Sequence, residues 1–140
     1  MTDKRVVITG IGMITPVGNS TEETFNNLLN GQSGIAKVTL CDTSDIEVKI
    51  AGEVKFDPTE YLDNKQQKRM DRFTQFAIIA ANEAINDSSL NISKISNETG
   101  VIIGCGIGGL TTLEEQYDVL RNKGPQRVSP LLVPMYIADM

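Results

Sequence analysis

Four β-branched residues in a row, Val6 to Thr9, run straight into Gly10 and Gly12 and then Pro16 and Gly18. A short apolar run closed by glycines predicts a buried strand entering a tight loop. Beyond it, Ser20 or Thr21 can cap a helix that has Glu22 and Glu23 in its first turn. Phe25, Leu28 and Leu29 follow at helical spacing, and Gly31 stands past the end. Cap, acidic first turn and terminal glycine agree on a helix. Strand then helix is the opening of an α/β unit.

Residues 37–58 alternate only briefly, in stretches such as VKIAGEV, before Asp57 and Pro58, which predicts irregular structure with one or two short strands. From Lys65 to about Asp87 the apolar period becomes helical, with Asp63 or Asn64 as cap. Met70, Phe73, Ala77, Ala80, Ala81 and Ala84 share a stripe, and FAIIAA at 76–81 is apolar nearly all round, so the later turns are expected to be buried. Val101–Ile103 reads as a central parallel strand covered on both faces. It enters GCGIGG, residues 104–109, and then a helix carried by Leu110, Leu113, Tyr117 and Leu120 up to Gly124 and Pro125.

The carboxyl end breaks this regularity. Eight of the last ten residues, LLVPMYIADM, are apolar, and Pro134 sits where a helix would begin. Helices below ~12 residues are marginal alone, and a finished domain does not readily leave an apolar patch as its free terminus. The expectation is that residues 1–140 are a piece cut from a larger domain.

Composition narrows the function. Forty per cent hydrophobic and 22% charged residues are ordinary for a globular protein, and no apolar run approaches the ~20 residues of a membrane helix. The start is too short in apolar residues for a signal peptide core of ~7 to 15, so a cytoplasmic chain is expected. The Asn-x-Ser/Thr triplets at Asn19, Asn86, Asn91 and Asn97 then carry no meaning. Cys41 and Cys105 lack CxxC spacing and read as reduced thiols. A net charge of −5 argues against nucleic acid as a partner. The charge is uneven: residues 65–72 hold Lys65, Lys68, Arg69 and Arg72 against Asp71, a basic island on an acidic body.

Three features carry candidate chemistry. Gly104, Gly106 and Gly109 satisfy the dinucleotide fingerprint between a strand and a helix. That fingerprint belongs to the first βα unit and needs an acidic residue ~20 positions on, whereas Ser129–Pro134 there has no carboxylate and the first unit has Thr15 in place of its third glycine. A Rossmann domain is therefore the weaker reading. Cys105, at a helix amino terminus, could be a nucleophile, but the chain contains no histidine to serve as its base, which favours a small buried loop residue. On one continuous helix the basic island would occupy a single solvent face. Cations in a first turn oppose the helix dipole by ~0.3 to 1 kcal/mol each. Such a placement points to an acidic or phosphorylated partner, against the plainer reading of a solvated charged face.

Taken together, RVVITGIGMITPVGNS at 5–20, FNNLLNGQSGI at 25–35, KRMDRFTQFA at 68–77, GVIIGCGIGGLTTLEEQY at 100–117 and GPQRVSPLLVPMYIADM at 124–140 resemble the beta-ketoacyl-acyl carrier protein synthases. The likeness is to the elongating branch of these condensing enzymes. It implies the thiolase-like fold, two α/β halves in α-β-α-β-α layers, with this chain at the start of the first half. It also implies a homodimer acting in fatty acid biosynthesis by decarboxylative Claisen condensation. The nucleophilic cysteine and two histidines of that chemistry are matched by nothing here, so no catalytic residue is expected in this chain. No cofactor of its own is implied, since phosphopantetheine is carried by the partner acyl carrier protein. By the same resemblance Lys65, Lys68 and Arg69 match the carrier-binding surface. Ile107, between Gly106 and Gly108, matches the apolar gate of the acyl pocket, and Leu131, Leu132 and Val133 match its lining. Two positions depart from the family pattern: Cys105 stands where serine is usual, and Leu131 and Leu132 replace bulkier aromatics. A non-catalytic chain-length partner is the rival within the family.

Overall fold

A computed structural model of the protein describes residues 4–138; Met1–Asp3 and the last two residues of the apolar carboxyl end, Asp139 and Met140, lie outside them. The chain divides into two units, Met1–Phe56 with Ile79–Lys94, and Asp57–Ile78 with Ile95–Met140.

In the first unit a glycine-rich loop leads into helix α1 (Thr21–Leu29). Ser20 caps it, its hydroxyl accepting the Glu23 N–H at 3.1 Å, with Glu22 and Glu23 in the first turn where negative charge is favoured. The helix closes where the sequence places Gly31, at φ +67°, with its N–H donating to Leu28 O. Strands β1 (Ile35–Lys37) and β2 (Ile50–Gly52) pair antiparallel with Ala36 opposite Ala51, so the short-strand expectation for this region holds for β2, and β1 starts just ahead of it. Helix α3 (Arg72–Ser88) contributes its residues from Ile79 onward, and α4 (Ile92–Ile95) follows.

The loop lies directly on the small-residue face of α3. A Cβ on Gly10 would overlap the carbonyl oxygen of Ala84, and one on Gly12 that of Ala80. Two carboxylates four residues apart on α3 take up the loop's amides. Asp87 Oδ2 accepts from Ile11 N–H at 2.9 Å, and Glu83 accepts from Met13 N–H at 2.8 Å and from Thr21 N–H at 2.7 Å. Thr21 is the first residue of α1, so Glu83 satisfies a donor that the helix itself cannot.

The second unit starts with a turn at Pro58–Glu60, capped by Asp57, and helix α2 (Asn64–Gln67), capped by Asp63 and Gln66 in a reciprocal pair. The first turns of α3, helix α5 (Leu110–Lys123) and helix α6 (Leu132–Tyr136) complete it. Helix α5 has the expected span and ends at Gly124, φ +83°.

Three expectations are corrected. The single helix from Lys65 to Asp87 is two, α2 and α3, broken over residues 68–71. Asp71 causes the break: its carbonyl accepts the Gln75 N–H and its carboxylate the Phe73 N–H, which starts a new helix, while Gln75 Nε2 donates back to Met70 O at 3.1 Å and Gln67 O at 3.4 Å. Second, the later turns of α3 are not buried all round. Ile79 is 8% exposed, but Ile85 is 40% exposed and Ala81 is exposed too. Third, Val6–Thr9 and Val101–Ile103 are not buried strands. Neither run belongs to a ladder, and Ile102 is 99% exposed. A strand exists only by pairing, and among the described residues the pairings are β1 with β2 and a bridge from Thr15 to Gly18.

Candidate functional site

The chemistry-bearing residues of the second unit gather around the glycine loop and the amino end of α5. A Cβ on Gly104 or Gly106 would meet nothing within contact distance, so this part of the loop stands clear of its surroundings. The loop's far end is tied down. Gly108 has φ +92°, Gly109 donates its N–H to Tyr136 O at 2.9 Å, and Leu110 N–H reaches back to Gly108 O.

Asp71 anchors the amino end of α5. The residue is 8% exposed, and its carboxylate accepts the Thr112 N–H at 3.1 Å and the Thr112 hydroxyl at 2.5 Å through Oδ2. A negative group on the third residue of a helix satisfies an orphan amide and is favoured by the dipole. Sequence reasoning counted Asp71 only as a countercharge. The signal was present, since an Asp directly before an apolar helical stripe is a cap candidate, but its second partner lies 41 residues on.

This arrangement bears directly on the nucleotide reading. A dinucleotide fold offers its phosphate the free N–H groups of a helix amino terminus. Here the first glycine loop donates to Glu83 and Asp87, and α5 already holds Asp71. Carboxylates already hold the loop amides of the first unit and the Thr112 amide of α5, and their charge repels a phosphate, so the fingerprint match is one of spacing alone.

Ile107 is 69% exposed and lines a concavity of about 510 Å³ with Ile103–Gly106 and Tyr136–Ala138. Gly106 shares this lining, whereas Gly108 and the three residues Leu131, Leu132 and Val133 do not. Leu131 and Val133 are exposed and Leu132 half-buried at the start of α6. Cys105, expected to be buried, is exposed; its sulfur accepts the Gly108 N–H at 3.2 Å across a three-residue turn. No group of three or more metal-binding side chains occurs among the described residues.

Lys65, Lys68 and Arg69 are all exposed, but not on one helix face. Lys65 lies in α2, Lys68 caps its carboxyl end, and Arg69 follows in the turn. At that end positive charge is favoured rather than opposed, so the dipole penalty inferred for a single long helix does not fall on Lys68 and Arg69. Arg72 is drawn away from the group, its guanidinium 5.0 Å from the Phe76 ring centroid. The neighbouring Asp57 carboxyl is held below the usual carboxylate range by the hydroxyl and then the N–H of Thr59.

A glycine loop opening onto a concavity of mixed lining, together with an exposed cationic turn, belongs to a class that the comparisons with known proteins identify. The model of the beta-ketoacyl synthase N-terminal domain matches residues 3–140, and the chain belongs to that family. The 3-oxoacyl-[acyl-carrier-protein] synthase 2 of Synechocystis sp. is 50% identical over 139 residues, covering 98% of this chain and 33% of the relative. That of Staphylococcus aureus (strain COL) is 49% identical over 140 residues, covering 99% of this chain and 34% of its own. The chain thus spans about a third of the length of these curated relatives.

Among solved structures, the ishigamide ketosynthase/chain length factor superposes with TM-score 0.77 at 27% identity, over 96% of this chain and 34% of that one. A second, a type II polyketide synthase acyl-carrier protein in complex with its ketosynthase, gives TM-score 0.72 at 23% identity over 96% of this chain and 35% of that one; at that identity the likeness is one of fold. The fold is the amino-terminal part of the thiolase-like ketosynthase fold, as expected. Among the described residues no helix is long and apolar enough to cross a membrane.

Proposed function

We propose that the protein is the amino-terminal part of a 3-oxoacyl-[acyl-carrier-protein] synthase of fatty acid elongation, an acyltransferase that condenses an acyl thioester with a malonyl-carrier. The observation that carries this reading is near-50% identity along the whole chain to relatives of that name. In this reading the chain supplies recognition and a gate, and the cysteine and histidines of the chemistry belong to the part of the relatives that it does not span. Lys65, Lys68 and Arg69 meet an acidic acyl carrier protein, where complementary charge speeds encounter and sets orientation. Ile107, flanked by Gly106 and Gly108, gates an acyl pocket; Leu131, Leu132 and Val133, which lie outside the concavity beside Ile107, are assigned to its lining by family resemblance alone. The phosphopantetheine arm arrives on the carrier, and the working assembly is a homodimer in the cytoplasm. A non-catalytic chain-length partner is the second reading, favoured by the ketosynthase/chain length factor among the fold's neighbours; the higher identity to the synthases weighs against it.

The test is a chimera joining this segment to the remaining two thirds of the Synechocystis relative. It is expected to elongate acyl-carrier substrates. Replacing Lys65, Lys68 and Arg69 with glutamate should lower kcat/KM for them about 10- to 100-fold, as loss of electrostatic steering does, and spare short acyl thioesters without the carrier. Equal loss on both substrates would defeat the docking role, and an inactive chimera would defeat the synthase reading. Ile107→Phe should penalise long acyl chains more than short ones; an unchanged profile removes Ile107 from the pocket.

A further inference from the structure

We propose that Asp71 is the positioning residue of the Gly104–Gly109 loop and couples it to the cationic turn, a role that rests on the reading of Ile107 as the acyl gate. The loop is loose at one end and fixed at the other. Gly104 and Gly106 face open space, whereas Gly109 is held between Tyr136 O and the Asp71 carboxylate, whose Oδ2 lies 2.9 Å from where a Gly109 Cβ would stand. A side chain at Gly109 would overlap Met135 O first and press on that carboxylate as well, so the glycine lets both the α6 backbone and Asp71 close on the start of α5. Ile107 stands two residues before this clamp, and how far its loop can swing depends on how firmly the clamp holds.

The other side of Asp71 leads to the docking cations. Lys68 and Arg69 precede it by three and two residues in the turn between α2 and α3, and Gln75 Nε2 ties the carbonyls of that turn to α3. A carrier protein that grips Lys68 and Arg69 therefore pulls on a segment whose next polar group holds the gate loop. Docking and gating then share a single carboxylate, a reason for a buried acid at a position where the synthase chemistry itself requires none.

The 140-residue chain tests the clamp without any activity. Asp71→Ala and Thr112→Val should each speed amide hydrogen exchange over residues 106–112 by about 10-fold or more, the size expected for losing a charge-assisted hydrogen bond. Alkylation of Cys105 should accelerate with it, while Cys41 in the same molecule keeps its rate. Thr112→Ser, which restores the hydroxyl, should return both to the parent values. Unchanged exchange over 106–112, or an equal rise over residues 20–31, would overturn the proposal, and Thr112→Val decides the matter if Asp71→Ala does not fold.

In the chimera, Asp71→Asn should lower kcat for long acyl chains and leave KM for the carrier unchanged, the reverse of the split expected for the lysine and arginine reversals. A change in KM alone would overturn the coupling. A chimera that never condenses would sink the synthase reading, and the exchange result on Asp71 would still stand.

Discussion

The chain carries two glycine loops of similar spelling, TGIGMITPVG at 9–18 and GCGIGG at 104–109, and they do opposite things. In the first, the glycines are there for proximity: Gly10 and Gly12 let the backbone lie on Ala84 and Ala80 of α3, and Glu83 and Asp87 take the amides of the residues after them. In the second, Gly104 and Gly106 touch nothing, and only Gly108 and Gly109 are pressed against other backbone. One loop is a packing surface, and the other is open at one end and tied down at the other. A glycine pattern by itself specifies neither use; the residues opposite it decide.

The largest expected effect tests the packing half of this contrast. Gly12→Ala puts a methyl group into the carbonyl oxygen of Ala80, and backbone cannot yield as a side-chain tip can. A loss of about 3 kcal/mol or more in urea unfolding is expected, at or beyond the upper range for overpacking. A loss below 1 kcal/mol would mean that the loop does not rest on α3 and that the two loops are alike.

Next in size is Glu83. Its carboxylate serves Met13 and Thr21, one on the loop and one on the first turn of α1. Glu83→Ala leaves two partly buried amides without an acceptor, which costs about 1 to 3 kcal/mol at sites of this kind. Glu83→Gln, still able to accept with one oxygen, should lose less. If the two substitutions were equal and small, water would be replacing the carboxylate and the loop would be less enclosed than its geometry indicates.

How much of this could be read in advance follows the range of the interactions. Helix α1 and helix α5 were legible because their caps and terminal glycines act within a few residues: Ser20 on Glu23, Gly31 behind Leu28, Gly124 behind Lys123. The break at residues 68–71 was missed because Asp71 was counted as charge when it acts as a cap. The roles of Glu83, Asp87 and the second partner of Asp71 depend on residues 41 to 76 positions away, which no periodicity encodes. Val6–Thr9 and Val101–Ile103 have the composition of central strands, but composition cannot supply a partner strand, and neither run is paired. The candidate site was legible only through the family resemblance: Lys65, Lys68 and Arg69 do sit exposed, but their grouping comes from a turn and not from a helix face.

The smallest effect is the most discriminating, because it is the same kind of substitution with the opposite outcome. Gly106 is exposed, and an added Cβ meets no atom within contact distance. Its φ is not in the left-handed region, since Gly31, Gly108 and Gly124 are the glycines with positive φ among the described residues. Gly106→Ala should therefore shift stability by less than about 1 kcal/mol, and toward greater stability, because alanine has fewer unfolded conformations to lose. Its cost should appear in motion instead: with a stiffer backbone beside Ile107, amide exchange over residues 104–108 should slow while that over residues 10–18 stays unchanged. Should Gly106→Ala destabilise the chain as strongly as Gly12→Ala, the second loop would be packed like the first, and Ile107 would have no room to act as a gate.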